Sequence, residues 1–253
     1  MRIREVKSLK SKKGRDEWGL FIVEGEKLVA EIPADWQVKL YLCAESYARA
    51  EALRPAPVML LPDSRFASVS DTKTPQGVMA VCEMRRFGME DLAGANVLLI
   101  GEALSDPGNI GTLIRTAAAA RLDGVILSEG SGDVYNPKII RAAAGASLRL
   151  PVVEGADLQE LLPKLKEQGF MILALHLQGD CLPYELDLAD QKLAILVGNE
   201  AHGLSDRTAK LADVCVKLPM APGIESLNAS VAGGILMYEL VRQASFLKAP
   251  KKI

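Results

Sequence analysis

Short apolar runs alternate with longer mixed segments along most of the chain. In the second half each run is apolar almost throughout, as expected for a strand that is buried on both faces. The segments between these runs have helical composition, and the alternation predicts a parallel sheet with helices on both faces. The predicted strands are Val97–Ile100, Gly124–Leu127, Met171–Leu177, Leu193–Val197 and Val214–Leu218, and the predicted helices are Asn109–Arg121, Pro137–Ala146, Leu158–Gln168 and roughly Ser226–Leu247.

The beginning of the chain has a different organisation, with four apolar runs of strand length and helical-looking segments between them. This part predicts a small α/β domain. A charged, turn-prone stretch at 84–88 then suggests a linker. We therefore expect an N-terminal domain at 1–88, a linker at 89–94 and a C-terminal domain at 95–253. The four runs are Phe21–Val23, Val38–Cys43, Val58–Leu61 and Gly77–Cys82.

Charge is balanced over the whole chain but concentrated at its start. The 253 residues include 30 Lys and Arg against 32 Asp and Glu, and the net charge of −2 excludes a uniformly basic nucleic-acid-binding surface. A local basic patch is compatible with this balance, because Glu5 is the single acid among the first 15 residues. The alternative is that this segment is a solvated tail. Its basic residues are Arg2, Arg4, Lys7, Lys10, Lys12, Lys13 and Arg15.

Cysteine and histidine usage excludes a disulfide framework and a zinc site. The four cysteines form no C-x-x-C pair, and the histidines are His176 and His202. We expect no metal. The N-terminus has no apolar core of a signal peptide, and the apolar stretch at 231–241 is too short to span a bilayer. We expect a soluble, cytoplasmic protein without a membrane partner.

The loop after the first strand of the predicted parallel sheet carries candidate chemistry. Ligands of such sheets bind at loops that follow the carboxyl ends of strands. Here Asp106-Pro107-Gly108 forces a turn, Asn109 stands where a helix would begin, and Arg115 lies about two turns in. The structural alternative is that Asn109 only caps the helix and that Arg115 is a surface cation.

Two further loops have the same position relative to predicted strands. In residues 198–205, Gly198 and Gly203 permit tight backbone turns, and Glu200 ends a strand, where a carboxylate needs a partner. Residues 219–230 lead into the last helix, with Ser226 or Asn228 placed to cap it or to contact a ligand. The alternatives are that Glu200 is a solvated loop acid and that the second of these loops is an elaborate helix cap.

Several common enzyme motifs are missing from the sequence. It contains no P-loop, no G-x-G-x-x-G after a strand and no G-x-S-x-G nucleophile elbow. These gaps exclude a P-loop NTPase and argue against the usual dinucleotide-binding or glycine-rich methyltransferase entry loop.

Taken together, the three loops resemble the motifs of the SpoU (TrmH-type) RNA 2′-O-ribose methyltransferases of the SPOUT class. The similar segments are 106–115, 197–205 and 218–232, and residues 136–146 match a further segment. Ala143 departs from the family there, where a serine is commoner. The likeness covers about 95–245. The N-terminal region resembles, more weakly, the L30e-like substrate-binding domain of many members, which favours ribosomal RNA over tRNA.

The resemblance implies a C-terminal domain with a deep trefoil knot that binds S-adenosylmethionine (SAM) as methyl donor. It also implies a homodimer through the C-terminal domain, which is compatible with the apolar last helix. The implied reaction is methyl transfer to a ribose 2′-hydroxyl of RNA, more in keeping with ribosomal RNA than with tRNA.

Family analogy also assigns site residues. Arg115 has the central role as a fixed cation, because a guanidinium holds its proton too tightly to act as a literal base. Asn109, Glu200 and Asn228 support it, with Glu200 expected to orient both Asn109 and Arg115 by hydrogen bonds. The residues implied for SAM binding are Leu175, Gly198, Leu218, Met220, Ser226 and Leu227, and those expected to bind RNA are Lys7, Lys10, Lys12, Lys13, Arg15 and Arg141.

Other functions compete with this one. A non-catalytic RNA-binding protein on the same fold would lack the functional groups that are present in these loops. An α/β enzyme that uses another nucleotide is a third hypothesis. The sequence does not distinguish housekeeping modification from drug resistance, and it does not identify the RNA, the modified nucleotide, the proton acceptor or the dimer geometry.

Overall fold

The structure is a computed structural model that describes residues 1–53 and 55–243. The last residues of the predicted C-terminal helix lie outside this range. The described strands are β1 (Leu20–Glu24), β2 (Val38–Ala44), β3 (Val58–Leu61), β4 (Val78–Glu83), β5 (Val97–Gly101), β6 (Gly124–Ser128), β7 (Val152–Ala156), β8 (Phe170–Leu175), β9 (Lys192–Val197) and β10 (Val214–Val216). The described helices are α1 (Ile3–Ser8), α2 (Lys12–Trp18), α3 (Glu26–Ala30), α4 (Asp63–Val69), α5 (Pro107–Ala119), α6 (Pro137–Ala142), α7 (Leu158–Glu167), α8 (Asp206–Ala209) and α9 (Ala229–Gln243).

The chain divides into two compact units. The first unit comprises Met1–Arg86 and Asp133–Arg149, and the second comprises Phe87–Gly132 together with the chain from Leu150 onward. The sequence predicts a boundary close to the first of these divisions. It assigns 133–149 to the C-terminal domain, however, and the contacts of this segment are with the first unit.

The first unit contains a four-stranded sheet in the order β1-β4-β2-β3, in which β4 runs antiparallel to both of its neighbours. The segment 133–149 joins this unit through buried side chains. The Tyr135 ring packs on Phe21 with 4.6 Å between centroids, and the Trp36 indole donates a hydrogen bond to the Leu148 carbonyl at 2.9 Å. These contacts bury aromatic surface, which explains why a segment distant in sequence belongs to this core.

The second unit is built on a six-stranded sheet in the order β10-β8-β9-β5-β6-β7, and all of its paired strands run parallel. Its central strands are buried along nearly their whole length, as their apolar sequences predict. Leu196 packs in the core cluster that includes residues of α7. The next residue, Val197, faces Gly233 of α9, so helices cover both faces of the sheet.

Two helix starts differ from those predicted. Helix α5 begins at Pro107 rather than Asn109, because the Asp106 carboxylate accepts a hydrogen bond from the Asn109 amide at 2.8 Å and caps the helix. Helix α9 begins at Ala229 rather than Ser226, with Asn228 before it. A glycine fixes the packing of these two helices, since a Cβ on Gly233 would lie 2.6 Å from Leu113 Cδ2.

Candidate active site

The three candidate loops meet at one edge of the sheet in the second unit. We call them the β5 loop (residues 102–106), the β9 loop (residues 198–205) and the β10 loop (residues 217–228). They follow parallel strands of one sheet, so their starting points lie along the same edge. The β9 and β10 loops and the end of β8 surround a cavity of about 420 Å³, a size typical of small-molecule sites.

All of the residues predicted to bind SAM line this cavity. Four of them are apolar and the other two are a glycine and a serine, so the wall combines apolar side chains with backbone polar groups. Sequence reasoning missed other lining residues, including His176, Gln178, Asn199 and His202; the first and third of these directly adjoin predicted residues in the sequence. The predicted residues found in the lining are Leu175, Gly198, Leu218, Met220, Ser226 and Leu227.

The β9 loop is a tight reversal that requires glycine for its own folding. A Cβ on Gly198 would lie 2.2 Å from the Gly203 carbonyl carbon, and Gly203 has a φ of +68°. Asn199 and Gly203 exchange backbone hydrogen bonds of 3.0 and 2.8 Å across the turn. Gly198 also lines the cavity, so the expected approach of its backbone to a ligand stays a prediction.

Glu200 joins the β9 loop to the β5 loop. Its carboxylate accepts hydrogen bonds from the Ser105 amide and hydroxyl, both at 3.2 Å, and from the Asp106 amide at 3.0 Å. Asn109 Nδ2 donates to it at 3.2 Å. Partial burial by itself raises the pKa of Glu200, but the hydrogen bonds from backbone amides and Asn109 outweigh burial and lower the pKa below its usual range. The group is therefore a carboxylate at neutral pH.

Two asparagines extend this network to the third loop. Asn228 Nδ2 donates a hydrogen bond to Asn109 Oδ1 at 2.8 Å. Asn228 Oδ1 accepts from the amide of Ser230 at 2.9 Å and from its hydroxyl at 2.7 Å, at the start of α9. The chain of contacts from Glu200 through Asn109 to Asn228 thus ties the three loops together. The bond between Glu200 and Asn109 is the predicted one, whereas the bond to Asn228 was not predicted.

Arg115 does not join this network. Its side chain is exposed, and none of the described residues gives it a hydrogen bond or an ion pair. The expected bond from Glu200 to Arg115 is therefore not formed. The reason lies in helix geometry: Arg115 follows Asn109 by six residues, which places the two side chains about 120° apart around α5.

The residues expected to bind RNA have different environments in the first unit. Lys7, Lys12 and Lys13 are exposed. Lys10 Nζ donates to the Ser70 carbonyl at 2.7 Å, and Arg141 pairs with Asp71 at 2.7 Å.

Arg15 is a correction to the predicted RNA contacts. Its side chain is 2% exposed and forms an ion pair of 2.5 Å with Asp133. Its guanidinium also donates to the carbonyls of Leu9 and Lys10 at 2.9 and 3.0 Å. Because its donors are engaged inside the unit, Arg15 has a structural role there.

Metal-binding clusters and membrane-spanning helices are both absent from the described part of the chain. Residues 1–53 and 55–243 contain no group of three or more His, Cys, Asp and Glu side chains suited to a metal ion. Within the same ranges, no helix has the length and apolar character needed to cross a membrane.

Comparisons with known proteins agree with this site. Residues 96–238 match the model of the SpoU rRNA Methylase family, and residues 1–80 match the MRM3-like substrate binding domain. The chain is 35% identical to the 23S rRNA (guanosine(2553)-2′-O)-methyltransferase RlmP of Bacillus subtilis, over 94% of this chain and 95% of the relative.

Solved structures show the same relationship. The SpoU methyltransferase AviRb from Streptomyces viridochromogenes, solved with AdoMet, superposes with a TM-score of 0.87 at 26% identity and covers 96% of this chain and 97% of its own. A structure described as giving insight into 2-OH methylation of C/U34 on tRNA has 27% identity and a TM-score of 0.51; it covers 59% of this chain and 96% of its own.

These matches confirm the predicted family, the predicted fold class of a parallel-sheet unit beside a smaller unit, and the predicted methyl donor. The chain therefore belongs to the SpoU rRNA Methylase family, and it is a SAM-dependent RNA 2′-O-ribose methyltransferase.

Proposed function

We propose that this protein methylates a ribose 2′-hydroxyl of ribosomal RNA and binds SAM in the cavity between the β9 and β10 loops. The observation that carries the proposal is that all six residues assigned to the donor line this one cavity. Its wall fits the donor chemically, because apolar side chains can flank an adenine while exposed backbone groups can bond its polar atoms. When bound, SAM supplies a methyl group that is activated by the adjacent sulfonium.

In this proposal the protein supplies alignment and charge. Glu200, Asn109 and Asn228 hold the three loops in fixed positions around the cavity. We assign the cationic guanidinium of Arg115 to an RNA phosphate and to the negative charge that develops on the 2′-oxygen. Its exposure and lack of a partner among the described residues leave its donors available for this role.

We assign RNA binding to the first unit. The family match to a substrate-binding domain supports this role, and the domain we propose consists of residues 1–88 together with 133–149. Lys7, Lys12 and Lys13 are exposed and suited to phosphate contacts. We retain Lys10 and Arg141 as further contacts, since the Lys10 ammonium has donors beyond its bond to Ser70 and the Arg141 side chain is partly exposed.

Ribosomal RNA is favoured because the relative RlmP is named for it and because the tRNA-related structure covers only 59% of this chain. To test this choice, labelled SAM is incubated with the protein and either ribosomal RNA or tRNA. We expect label in ribosomal RNA, at a linkage that resists alkali. Label in tRNA alone would overturn the substrate, and label on an alkali-sensitive nucleotide would overturn the ribose assignment.

A homodimer through α9 is also proposed. Val231, Ile235 and Tyr238 recur at helical spacing and are 49%, 44% and 51% exposed. An apolar stripe of this kind on a helix suits a symmetric interface. Sedimentation should give a dimer for the native chain and a monomer for Ile235→Glu; a native monomer would contradict this proposal.

We propose two further features for this protein, a trefoil knot and a cytoplasmic location. We propose that the segment from β10 to α9 completes a trefoil knot, supported by the family match over 96–238. We also propose that the protein acts in the cytoplasm. This location is supported by the relative RlmP, which is named for ribosomal RNA.

A further inference from the structure

Two carboxylates link the β5 and β9 loops in opposite directions. Glu200 extends from the β9 loop and accepts bonds from the β5 loop. Glu102 extends from the β5 loop to the end of the β9 loop: its Oε2 accepts from the Ser205 amide at 2.8 Å, and its Oε1 accepts from Ser205 Oγ at 2.7 Å and Thr208 Oγ1 at 2.6 Å. Both Glu102 oxygens are therefore used, and neither the family-like segments nor the cavity lining includes this residue.

The bonds to Glu102 fix the point where the β9 loop ends and α8 begins. Ser205 caps α8, because its Oγ accepts from the Thr208 amide at 3.3 Å, and Thr208 is buried. The residue before Ser205 is Leu204, which lines the cavity. Glu102 thus holds one end of the loop, while the other end continues directly from β9.

The backbone beside Glu102 is itself held in an unfavourable conformation. Ala103 has a φ of +49°, a left-handed value that costs energy for a residue with a Cβ. Its amide donates to Ser128 Oγ at 2.8 Å, and its carbonyl accepts from Asn199 Nδ2 at 2.8 Å. A strained position that is fixed from several sides is typical of a functional site. These bonds set the direction in which the Glu102 side chain leaves β5.

We propose that Glu102 is a positioning residue that sets the affinity for SAM by holding the β9 loop in its cavity-forming conformation. It acts through Ser205 and Leu204 and does not contact the donor itself. The inference rests on the proposed binding of SAM in this cavity. The β9 loop must be ordered before the donor can bind. Without Glu102, part of the binding free energy of SAM is used to order the loop, and the affinity for SAM falls.

The test measures SAM affinity by calorimetry, and KM and kcat by methyl transfer, for Glu102→Ala and Glu102→Gln. Glutamine can still accept from the Ser205 amide and can donate to the two hydroxyls, so it should retain most of the affinity. Alanine removes all three charge-assisted bonds. We expect Glu102→Ala to raise the Kd and KM for SAM by about tenfold or more, with a smaller change in kcat and an unchanged KM for RNA.

A matched control separates positioning from general destabilisation. Asp123, just before β6, holds the opposite end of β5, because its carboxylate accepts from the amides of Asn96 and Val97 at 2.8 and 3.0 Å. Asp123→Ala should lower the melting temperature as Glu102→Ala does, yet leave the KM for SAM unchanged. If Glu102→Ala does not fold, Ser205→Ala replaces it, with an expected rise in Kd of severalfold.

The outcomes distinguish this inference from the function on which it rests. If the native protein binds SAM and folded Glu102→Ala binds it equally well, or Asp123→Ala weakens binding to the same extent, the positioning role is wrong. If the native protein does not bind SAM at all, the proposed cavity is wrong and the inference falls with it.

Discussion

Arg15 and Arg115 are both basic residues that the sequence associates with RNA, and the structure gives them opposite environments. Arg15, in the first unit, is buried and bonded to a carboxylate and two carbonyls. Arg115, in the second unit, is exposed and has no partner among the described residues. Removing a buried, fully bonded guanidinium destabilises the fold, because its partners lose their cation. An exposed guanidinium with no partner is available for a substrate.

The largest expected effect is the loss of stability in Arg15→Ala. Removing one partner of a buried ion pair leaves the Asp133 carboxylate buried without its cation, which costs about 3–5 kcal/mol. Denaturant unfolding should show this decrease in the free energy of unfolding, while Lys13→Ala, an exposed neighbour, should change it by less than about 0.5 kcal/mol. Equal stabilities for the two variants would remove the structural role of Arg15.

Arg115→Ala should show the reverse of Arg15→Ala, with a loss of activity and little change in stability. We expect a loss of about 10²–10³-fold in kcat, as for removal of one group that stabilises transition-state charge. The melting temperature and the Kd for SAM should stay close to their native values, because the side chain is exposed and outside the cavity lining. Lys210→Ala, an exposed cation of the same unit, is the control. Turnover near the native rate in Arg115→Ala would refute the assignment.

Glu200 combines features of both arginines, because it is well bonded and also lies at the site. Its lowered pKa means that the folded state favours the carboxylate, which contributes stability at pH values above the usual glutamate range. This contribution is lost as the pH falls through the lowered pKa of the folded state. Between about pH 5 and 3, the melting temperature of the native protein should therefore fall more steeply than that of Glu200→Gln. Parallel curves would contradict the hydrogen-bonded carboxylate.

The smallest effect is expected for the exposed lysines of the first unit. Reversing the charge of Lys12 and Lys13 should weaken RNA binding and reduce the slope of log K against log salt by about one for each RNA phosphate that is no longer neutralised. The fold should be unaffected. An unchanged slope would remove this segment from the RNA interface.

The sheet of the second unit could be predicted from sequence because its strands are buried on both faces. All five predicted strands correspond closely to observed ones, namely β5, β6, β8, β9 and β10. The sequence missed β7, since Val152–Ala156 is an edge strand with only two buried residues at its start. It also did not predict α1 and α2, because the dense lysines and arginines of this segment obscure the few apolar side chains that pack inward.

The site was predicted in part for a similar reason. Polar residues in the loops that follow buried strands stand out, and Glu200, Asn109 and Asn228 could be selected as site residues on that ground. Arg15 shows what local sequence cannot reveal: its partner, Asp133, is 118 residues away. Glu102 escaped notice because its role depends on Ser205 and Thr208, which become neighbours only when β5 and β9 pair.

Whether the β9 and β10 loops enclose the donor site can be decided by a crystal structure of the protein with S-adenosylhomocysteine, the product that remains after methyl transfer. We predict the ligand in the cavity of the second unit, in contact with Leu218, Leu227 and the backbone at Gly198. A ligand bound at any other place, with this cavity empty, would contradict the proposed site.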